Sequence, residues 1–341
     1  MRVELLKKAL EAEGHSCVVL NLGRSRTVPS PEYETVMNGW DYLRKVWRFS
    51  RAGYVIHMHV NGESPKGFML TLIAETVNLV WGRRCIMTFH AGVDQVYFPR
   101  PKWPVLLPMF WVMFAIPRRI ICNNEAVKDK ICEYGVPRDK VVPIPAFSRQ
   151  YLEHELVALS EPLGAFYGRF PHVVFAYIKI REGFYQDVLL DGFAEIARCR
   201  ADVGLVILGI SGDIDPGLLK DLHERIKRHQ LAERICLIDD LEHDAFLTAL
   251  TQSDLYLRTP TTDGVAASVL EALSLGVPVV ASENGTRPAG VVTYEANSPR
   301  DLAATVIRVI DDRPSIAASI PRPQVRDTLA DELRLLVVET A

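Results

Sequence analysis

The chain is predicted to be an α/β protein of two doubly wound, Rossmann-like domains. Three observations carry this. Short apolar runs of buried-strand length alternate with longer stretches of helical spacing. The alternation runs once through the first half and starts again near residue 173, after a polar and aromatic stretch at about 148–171 that holds Pro162, Gly164, Gly168 and Pro171. At 341 residues the chain is long enough for two domains, each with its own core. The expected division is 1–165, 166–323 and a last helical segment, 324–341.

The elements follow in order. Residues 2–13 keep helical spacing through Val3, Leu5, Leu6, Ala9 and Leu10, and Gly14 stops them. Cys17 to Leu20 reads as a strand. Tyr54 to His59 is the next strand, followed by a loop from Val60 through Asn61. Phe68 to Trp81 is an apolar helix. Arg84 to Phe89 is a strand that ends in His90-Ala91-Gly92. Strands and helices in alternation make a parallel sheet with helices on both faces, and such sheets bind ligands at the carboxyl ends of their strands. His59 and His90 both fall there; a lone histidine at a strand end is more often structural than functional, and His90 is the stronger candidate of the two.

Val105 to Ile116 is the most apolar run, flanked by Arg100, Lys102, Arg118 and Arg119. It is too short to span a bilayer, which takes about 20 residues. It reads either as a helix packed in the core and kinked at Pro108, or as an interfacial segment with its basic flanks on lipid headgroups. Ile120 to Cys122 and Val141 to Ile144 are further strands, with a helix from Glu125 to Tyr134 between them.

In the second half, strands are expected at 173–178, 203–208, 235–238, 254–258, 277–281 and 291–294. Helices are expected at 187–199, 216–229, 242–252, 265–275 and 299–311, and a final one at 326–338. Leu208-Gly209 ends a strand in a glycine turn that can lie against a nucleotide. Asp213-Ile214-Asp215 has the look of a metal-binding D-x-D, but Pro216 follows, so Asp215 reads as a helix N-cap.

The most informative stretch runs from Ser253 to Ser282. A strand at Leu255-Tyr256-Leu257 leads into the polar loop Thr259-Pro260-Thr261-Thr262-Asp263-Gly264. A helix opens near Val265 and stops at Gly276, with Pro278 and another apolar run after it. A helix start leaves unpaired backbone N–H groups, here at Gly264, Val265 and Ala266, with the positive end of the helix dipole behind them. Such an end suits phosphate. Glu271 lies inside the helix, with Ala267, Ser268 and Ser274 at helical spacing. A carboxylate there can accept hydrogen bonds from two ribose hydroxyls. The plain alternative is a solvated glutamate on an exposed face.

This stretch resembles the signature of the family 4 retaining glycosyltransferases, which have the GT-B fold. The family motif is an acidic residue, seven residues, then Glu, followed by Ala-x-x-x-Gly-x-Pro-Val-Val-Ala. Here Asp263, Glu271, Ala272, Gly276, Pro278, Val279, Val280 and Ala281 match it, with Asp in place of the commoner first Glu. Arg287-Pro288-x-Gly290-Val291-Val292 resembles a polysaccharide-assembly branch. The resemblance implies two Rossmann-like domains facing across a cleft, with the first strand of the N-terminal domain and its glycine-rich turn missing. It implies that Glu271 holds the ribose, Asp263 the donor sugar and His90 the donor from the facing domain. Thr262, Gly264, Val265, Ala266, Ser268 and Gly209 are expected around the donor; His59, Asn61 and Gly92 lie on the acceptor side. In place of the family's two basic residues stand Tyr177 and Glu182, and Lys179 and Arg181 are close enough to neutralise the diphosphate instead.

The implied activity is transfer of a sugar from a nucleotide-diphosphate sugar, with retention, to a saccharide or lipid-linked acceptor in cell-surface polysaccharide biosynthesis. Neither a metal nor a cofactor is required by it. Two rivals stay open, a nucleotide-sugar epimerase of GT-B fold and a non-catalytic donor-binding subunit of an assembly complex. The six cysteines are scattered, without a CxxC pair, and fit a reducing cytoplasm. Residues 1–150 carry a net charge of +8 and the remainder −11. The basic half is expected to face an anionic membrane surface or a phosphate-bearing acceptor, so the expected location is the cytoplasm, with the cytoplasmic face of a membrane as one option. No nucleic-acid partner is expected, since no aromatic-studded basic motif is present.

Overall fold

The computed structural model of the protein describes residues 2–23, 30–61, 65–93, 98–99, 106–210, 214–261 and 266–340. The chain divides into two compact units, Met1–Gln150 with Arg326–Ala341, and Tyr151–Val325. The division comes after Gln150, not near 165. The cause is a short helix at Leu163–Arg169, whose Leu163 and Phe166 pack with Val173, Val206 and Cys236 of the second unit.

The first unit comprises α1 (Arg2–Ala12), β1 (Leu20–Asn21), β2 (Glu34–Thr35), α2 (Gly39–Arg51), β3 (His57–Val60), α3 (Pro65–Val80), β4 (Ile86–Phe89), α4 (Leu107–Ala115), β5 (Arg119–Cys122), α5 (Glu125–Cys132) and β6 (Val141–Pro143), with the C-terminal helix Thr328–Thr340. Its main sheet is parallel, in the order β3-β4-β5-β6. Successive strand residues point to opposite faces, and the two faces differ. Met58, Val60, Met87, Phe89, Ile120 and Cys122 pack against α2, α3, α4 and α5. Ile86 and Ile121 pack on the other face against Leu6 of α1 and Leu329 and Leu336 of the C-terminal helix.

That second face is pinned by ions. Glu332, fully buried, pairs with Arg2 at 2.6 Å and accepts from the Thr88 hydroxyl at 2.9 Å. Arg2 also donates to the Ala146 carbonyl at 2.7 Å.

Three expectations change here. The strand expected at 17–20 forms only at Leu20–Asn21 and pairs with β2, apart from the main sheet. Val18 and Val19 line a cavity of about 980 Å3 beside α1 and β3, so the run has no strand to pair with along its length. Pro108 sits in the first turn of α4, where no N–H bond is lost, so nothing kinks. Arg118 and Arg119 are not free basic flanks: both reach Glu339 of the C-terminal helix at 2.6 Å. Reversing their charge would expel Glu339 from its site.

The second unit runs α6 (Leu163–Arg169), β7 (His172–Tyr177), α7 (Gln186–Cys199), β8 (Val203–Leu208), α8 (Pro216–Arg228), β9 (Ile235–Ile238), α9 (His243–Gln252), β10 (Leu255–Arg258), α10 (Ala267–Ser274), β11 (Val279–Ser282), β12 (Val291–Tyr294), α11 (Pro299–Asp311) and α12 (Arg313–Ser319). The six strands are parallel, in the order β12-β11-β10-β7-β8-β9. The order turns at β7 and β10, and their carboxyl ends are the natural ligand site of such a sheet. Asp215 caps α8, accepting from the amides of Gly217 and Leu218 at 2.8 and 3.1 Å.

One buried group of unit 1 has a stability consequence. Glu75 of α3 is fully buried and its carboxylate oxygens have no conventional partner, only the weak donor thiol of Cys85 beside them. Burial pushes its carboxyl up to about 9. An unfolded carboxyl ionises near ~4.3. Between these values the unfolded chain binds fewer protons, so stability falls as pH rises. Glu75→Gln is therefore expected to raise the melting temperature at pH 8, by about 2–4 °C per kcal/mol recovered. The gain should shrink toward pH 4.5 in a melting series; a gain independent of pH would mean that Glu75 is ionised in the fold.

Candidate donor site

The site in unit 2 is built at the carboxyl ends of β7, β8 and β10. After β7, Ile178 and Ile180 are buried while Lys179 and Arg181 are exposed, and the Arg181 amide turns back onto the Lys179 carbonyl at 2.9 Å. The guanidinium of Arg181 lies 5.4 Å from the centre of the Phe184 ring. Tyr177, which stands where the resemblance places a basic residue, is half-buried, and burial raises its phenol.

A third cation belongs to this corner, and sequence reasoning missed it. Arg258 ends β10 and is 6% exposed. Its guanidinium lies 5.8 Å from the Tyr177 ring centre and 5.4 Å from that of Phe184, and donates to the Tyr177 carbonyl at 3.1 Å. The signal was available: a charged residue closing a buried strand at its ligand-facing end.

Gly209 closes β8 with φ +99°, and its amide donates to the Ile238 carbonyl at 3.0 Å. A Cβ there would come within 2.1 Å of the Ile178 carbonyl oxygen. The close approach of β7 and β8 thus depends on the missing side chain.

The loop after β10 is tied down at its visible end. Thr259 donates to the Phe184 carbonyl and Thr261 to the Tyr185 hydroxyl at 2.9 Å. Ser282 donates to the Pro260 carbonyl at 2.8 Å, and Arg287 donates to Ser282 and to that same carbonyl. Arg287 is thus a brace for the loop. Thr262, Asp263, Gly264 and Val265 lie outside the described residues.

Helix α10 starts at Ala267, with Ala266 as an extended N-cap that makes no side-chain cap bond. The helix ends with Gly276 at φ +77°, its amide and that of Val277 closing onto Leu273 and Ala272. Ser268 accepts a hydrogen bond from Tyr256 at 2.7 Å. Glu271 is 8% exposed, so the plain alternative of a solvated surface glutamate is excluded. Burial alone pushes its carboxyl up to about 7. No described cation offsets that burial.

In unit 1, His57 and His59 project from one face of β3, and His59 sits opposite Thr88 of β4. His59 lies within the strand, its Nδ1 3.0 Å from Nε2 of His90, which follows β4. His57 Nε2 is 2.7 Å from the Thr88 hydroxyl. Burial holds His57 down to about 3 and lowers His59 and His90 as well, so the rings are neutral. Asn123 donates to the His90 carbonyl at 3.0 Å and fixes the turn that leads to Gly92. Asn61 stands exposed beyond β3. Nitrogens of His57 and His59 and a carboxylate oxygen of Glu332 lie within 4.8 Å of one another, close enough for one cation. Glu332 is already neutralised by Arg2 and bonded by Thr88, and a dication would sit beside that guanidinium. The group is satisfied as a hydrogen-bonded network.

Comparison with known proteins agrees with both units. Residues 173–322 match the family described as Glycosyl transferases group 1, and residues 1–147 match Glycosyltransferase Family 4. The chain belongs to the family 4 glycosyltransferases of GT-B fold.

Among curated relatives, it is 25% identical over 150 residues to the lipopolysaccharide core biosynthesis mannosyltransferase LpsB of Rhizobium meliloti (strain 1021). The aligned region is 41% of this chain and 42% of that protein's length, so less than half of the relative is matched. Among solved structures, a glycosyltransferase from Rickettsia africae ESF-5 superposes with a TM-score of 0.68 at 13% identity, covering 99% of this chain and 94% of that one. Anabaena Alr3699/HepE in complex with UDP-glucose gives 0.64 at 16%, covering 97% and 88%. At these identities the two structures speak for the fold.

The geometry at Gly209 is open to a direct check. Gly209→Ala should lower the melting temperature and weaken nucleotide binding together, because the methyl drives β7 from β8. Wild-type melting with wild-type affinity would mean that the turn accommodates a side chain.

Proposed function

We propose that the protein is a retaining glycosyltransferase that moves a sugar from a nucleotide-diphosphate sugar to a saccharide or lipid-linked saccharide in cell-surface polysaccharide biosynthesis. The observation that carries this is the buried, uncompensated carboxylate of Glu271 in the helix that follows β10, in the unit whose strand ends also carry Lys179 and Arg181 after β7 and Arg258 on β10. A nucleoside diphosphate supplies the complement of both: ribose hydroxyls donate to the carboxylate and phosphates meet the cations. The family membership and the printed function of LpsB, in lipopolysaccharide core biosynthesis, support the reaction class.

In the reaction the bond from the anomeric carbon to the diphosphate oxygen breaks and the acceptor oxygen bonds to that carbon. The acceptor proton is released and the nucleoside diphosphate leaves. Negative charge grows on the departing diphosphate, where Lys179 and Arg181 stabilise it with the first amides of α10. Asp263 is assigned to the donor sugar, and His90 to the same donor by the family resemblance. No metal enters this mechanism, because the cations and amides carry the diphosphate charge.

Two variants separate binding from chemistry. Glu271→Gln should raise the Kd for the nucleotide about tenfold or more, since a charge-assisted hydrogen bond is worth about 1.5–3 kcal/mol. Replacing Lys179 and Arg181 together by Ala should lower turnover by more than it weakens donor binding. Calorimetry with UDP and other nucleoside diphosphates, and sugar transfer from their sugar forms followed by NMR of the product anomer, check both. Unchanged affinity in Glu271→Gln removes the ribose assignment. Epimerised donor without acceptor, or binding without any turnover, replaces the transfer reading.

A further inference from the structure

We propose that the outer face of the α2–α3–α4 layer in unit 1 docks on an anionic lipid surface. The proposal does not depend on the donor site. Nine of the twelve large apolar side chains that stand exposed among the described residues belong to this one layer. Trp40 is 81% exposed, Trp111 58% and Trp47 45%, and tryptophan is a residue that proteins ordinarily keep covered. A large exposed apolar patch on a soluble chain marks a docking site.

The geometry follows from the core. Tyr42 and Val46 of α2, Phe68 and Val77 of α3, and Phe110 and Phe114 of α4 are all buried against the same face of the sheet. The opposite stripes of the three helices therefore look away from the sheet on one side. On α2 that stripe reads Trp40, Arg44, Trp47, Arg51 at helical spacing, with Met37 just ahead of the helix. On α4 it is Leu107, Trp111 and Val112, on a helix with no charged residue at all. Met69 and Val80 of α3, the middle helix, continue the apolar surface.

Charge selects the partner. The three helices hold two acidic residues: Asp41, which is paired with Lys45 at 2.8 Å, and the buried Glu75. Against them stand Arg44, Lys45, Arg48, Arg51 and Lys66. Arg48 is engaged by Glu34 at 2.7 Å, while no described acidic side chain pairs with Arg44, Arg51 or Lys66. A two-fold contact with a second copy would set the arginine stripe against itself. Tryptophans between arginines on a helix lying in the surface plane are what an anionic bilayer interface accommodates, rings at headgroup depth and guanidinium groups on phosphate. The sequence pointed to the basic residues beside α4, but Arg118 and Arg119 are engaged by Glu339, and α2 supplies the charge instead.

Flotation of the full chain with vesicles tests this. Binding is expected to vesicles of phosphatidylcholine and phosphatidylglycerol in equal parts, weakening as salt is raised, and not to phosphatidylcholine alone. Arg44→Glu with Arg51→Glu should lower the partition coefficient by about tenfold or more. Trp40→Ser with Trp111→Ser should lower it too and reduce the blue shift of tryptophan emission on binding, with thermal melting unchanged since both side chains are exposed. Val338→Glu, on the C-terminal helix that packs on the opposite face of the sheet, should bind as wild type. The proposal is overturned if the wild type fails to float with the anionic vesicles, or if it floats equally well with the α2 and α4 variants. It is also overturned if the same face instead holds two copies together without lipid, a dimer that Trp40→Ser with Trp111→Ser dissociates.

Discussion

A carboxylate taken out of water without a counter-charge pays a desolvation penalty that folding must offset elsewhere, and unit 2 keeps one at Glu271. Its carboxyl is raised to about 7 by burial alone. The surroundings explain how the helix tolerates it. Gly276 closes α10 cleanly, Ser268 is engaged by Tyr256, and Arg287 secures the preceding loop against Ser282. These bonds hold the helix and its flanking loop in place around the carboxylate. A ligand with two hydroxyl donors would complete it.

The positive charge of this corner comes from two strands, Lys179 and Arg181 after β7 and Arg258 at the end of β10. Tyr177 stands where the resemblance places a basic residue, and Arg258 lies over its ring from the neighbouring strand. Such a cation arriving from another strand is invisible to motif reading, because the residue is distant in sequence and the contact arises only from the pairing of β7 with β10. Lys179 and Arg181 were legible only through their nearness to the basic positions that the resemblance implies; their alternation with the buried Ile178 and Ile180 is a finding of the structure.

Most strands and helices of unit 2 were legible because its inner strands β7, β8, β10 and β11 are apolar runs buried on both faces, which leave little ambiguity. Unit 1 was harder. The run at 17–20 has strand composition, but pairing requires a neighbour, and only Leu20 and Asn21 find one. Arg118 and Arg119 read as solvated flanks of an apolar helix, since nothing local shows that Glu339 arrives from the far end of the chain. His90 falls just past β4 as its position suggested, whereas β3 runs on to Val60 and keeps His59 inside the strand, and the company of these rings was not legible. His57, Thr88, Glu332 and Arg2 come from two strands and both terminal helices, and together they neutralise the buried face of the sheet. Exposure of tryptophan on α2 was equally hidden, because Trp40 and Trp47 fit a buried helical stripe as well as an exposed one.

The central claim is that Glu271 is a buried, protonatable carboxylate waiting for a nucleotide. Carbon-13 NMR of the glutamate side-chain carboxyls, with Glu271→Gln used to assign the resonance, tests it most directly. The account predicts a midpoint near 7 in the free protein, moving down when a nucleoside diphosphate is added, since ribose hydroxyls favour the ionised form. A midpoint in the ordinary carboxylate range, unmoved by nucleotide, would contradict it.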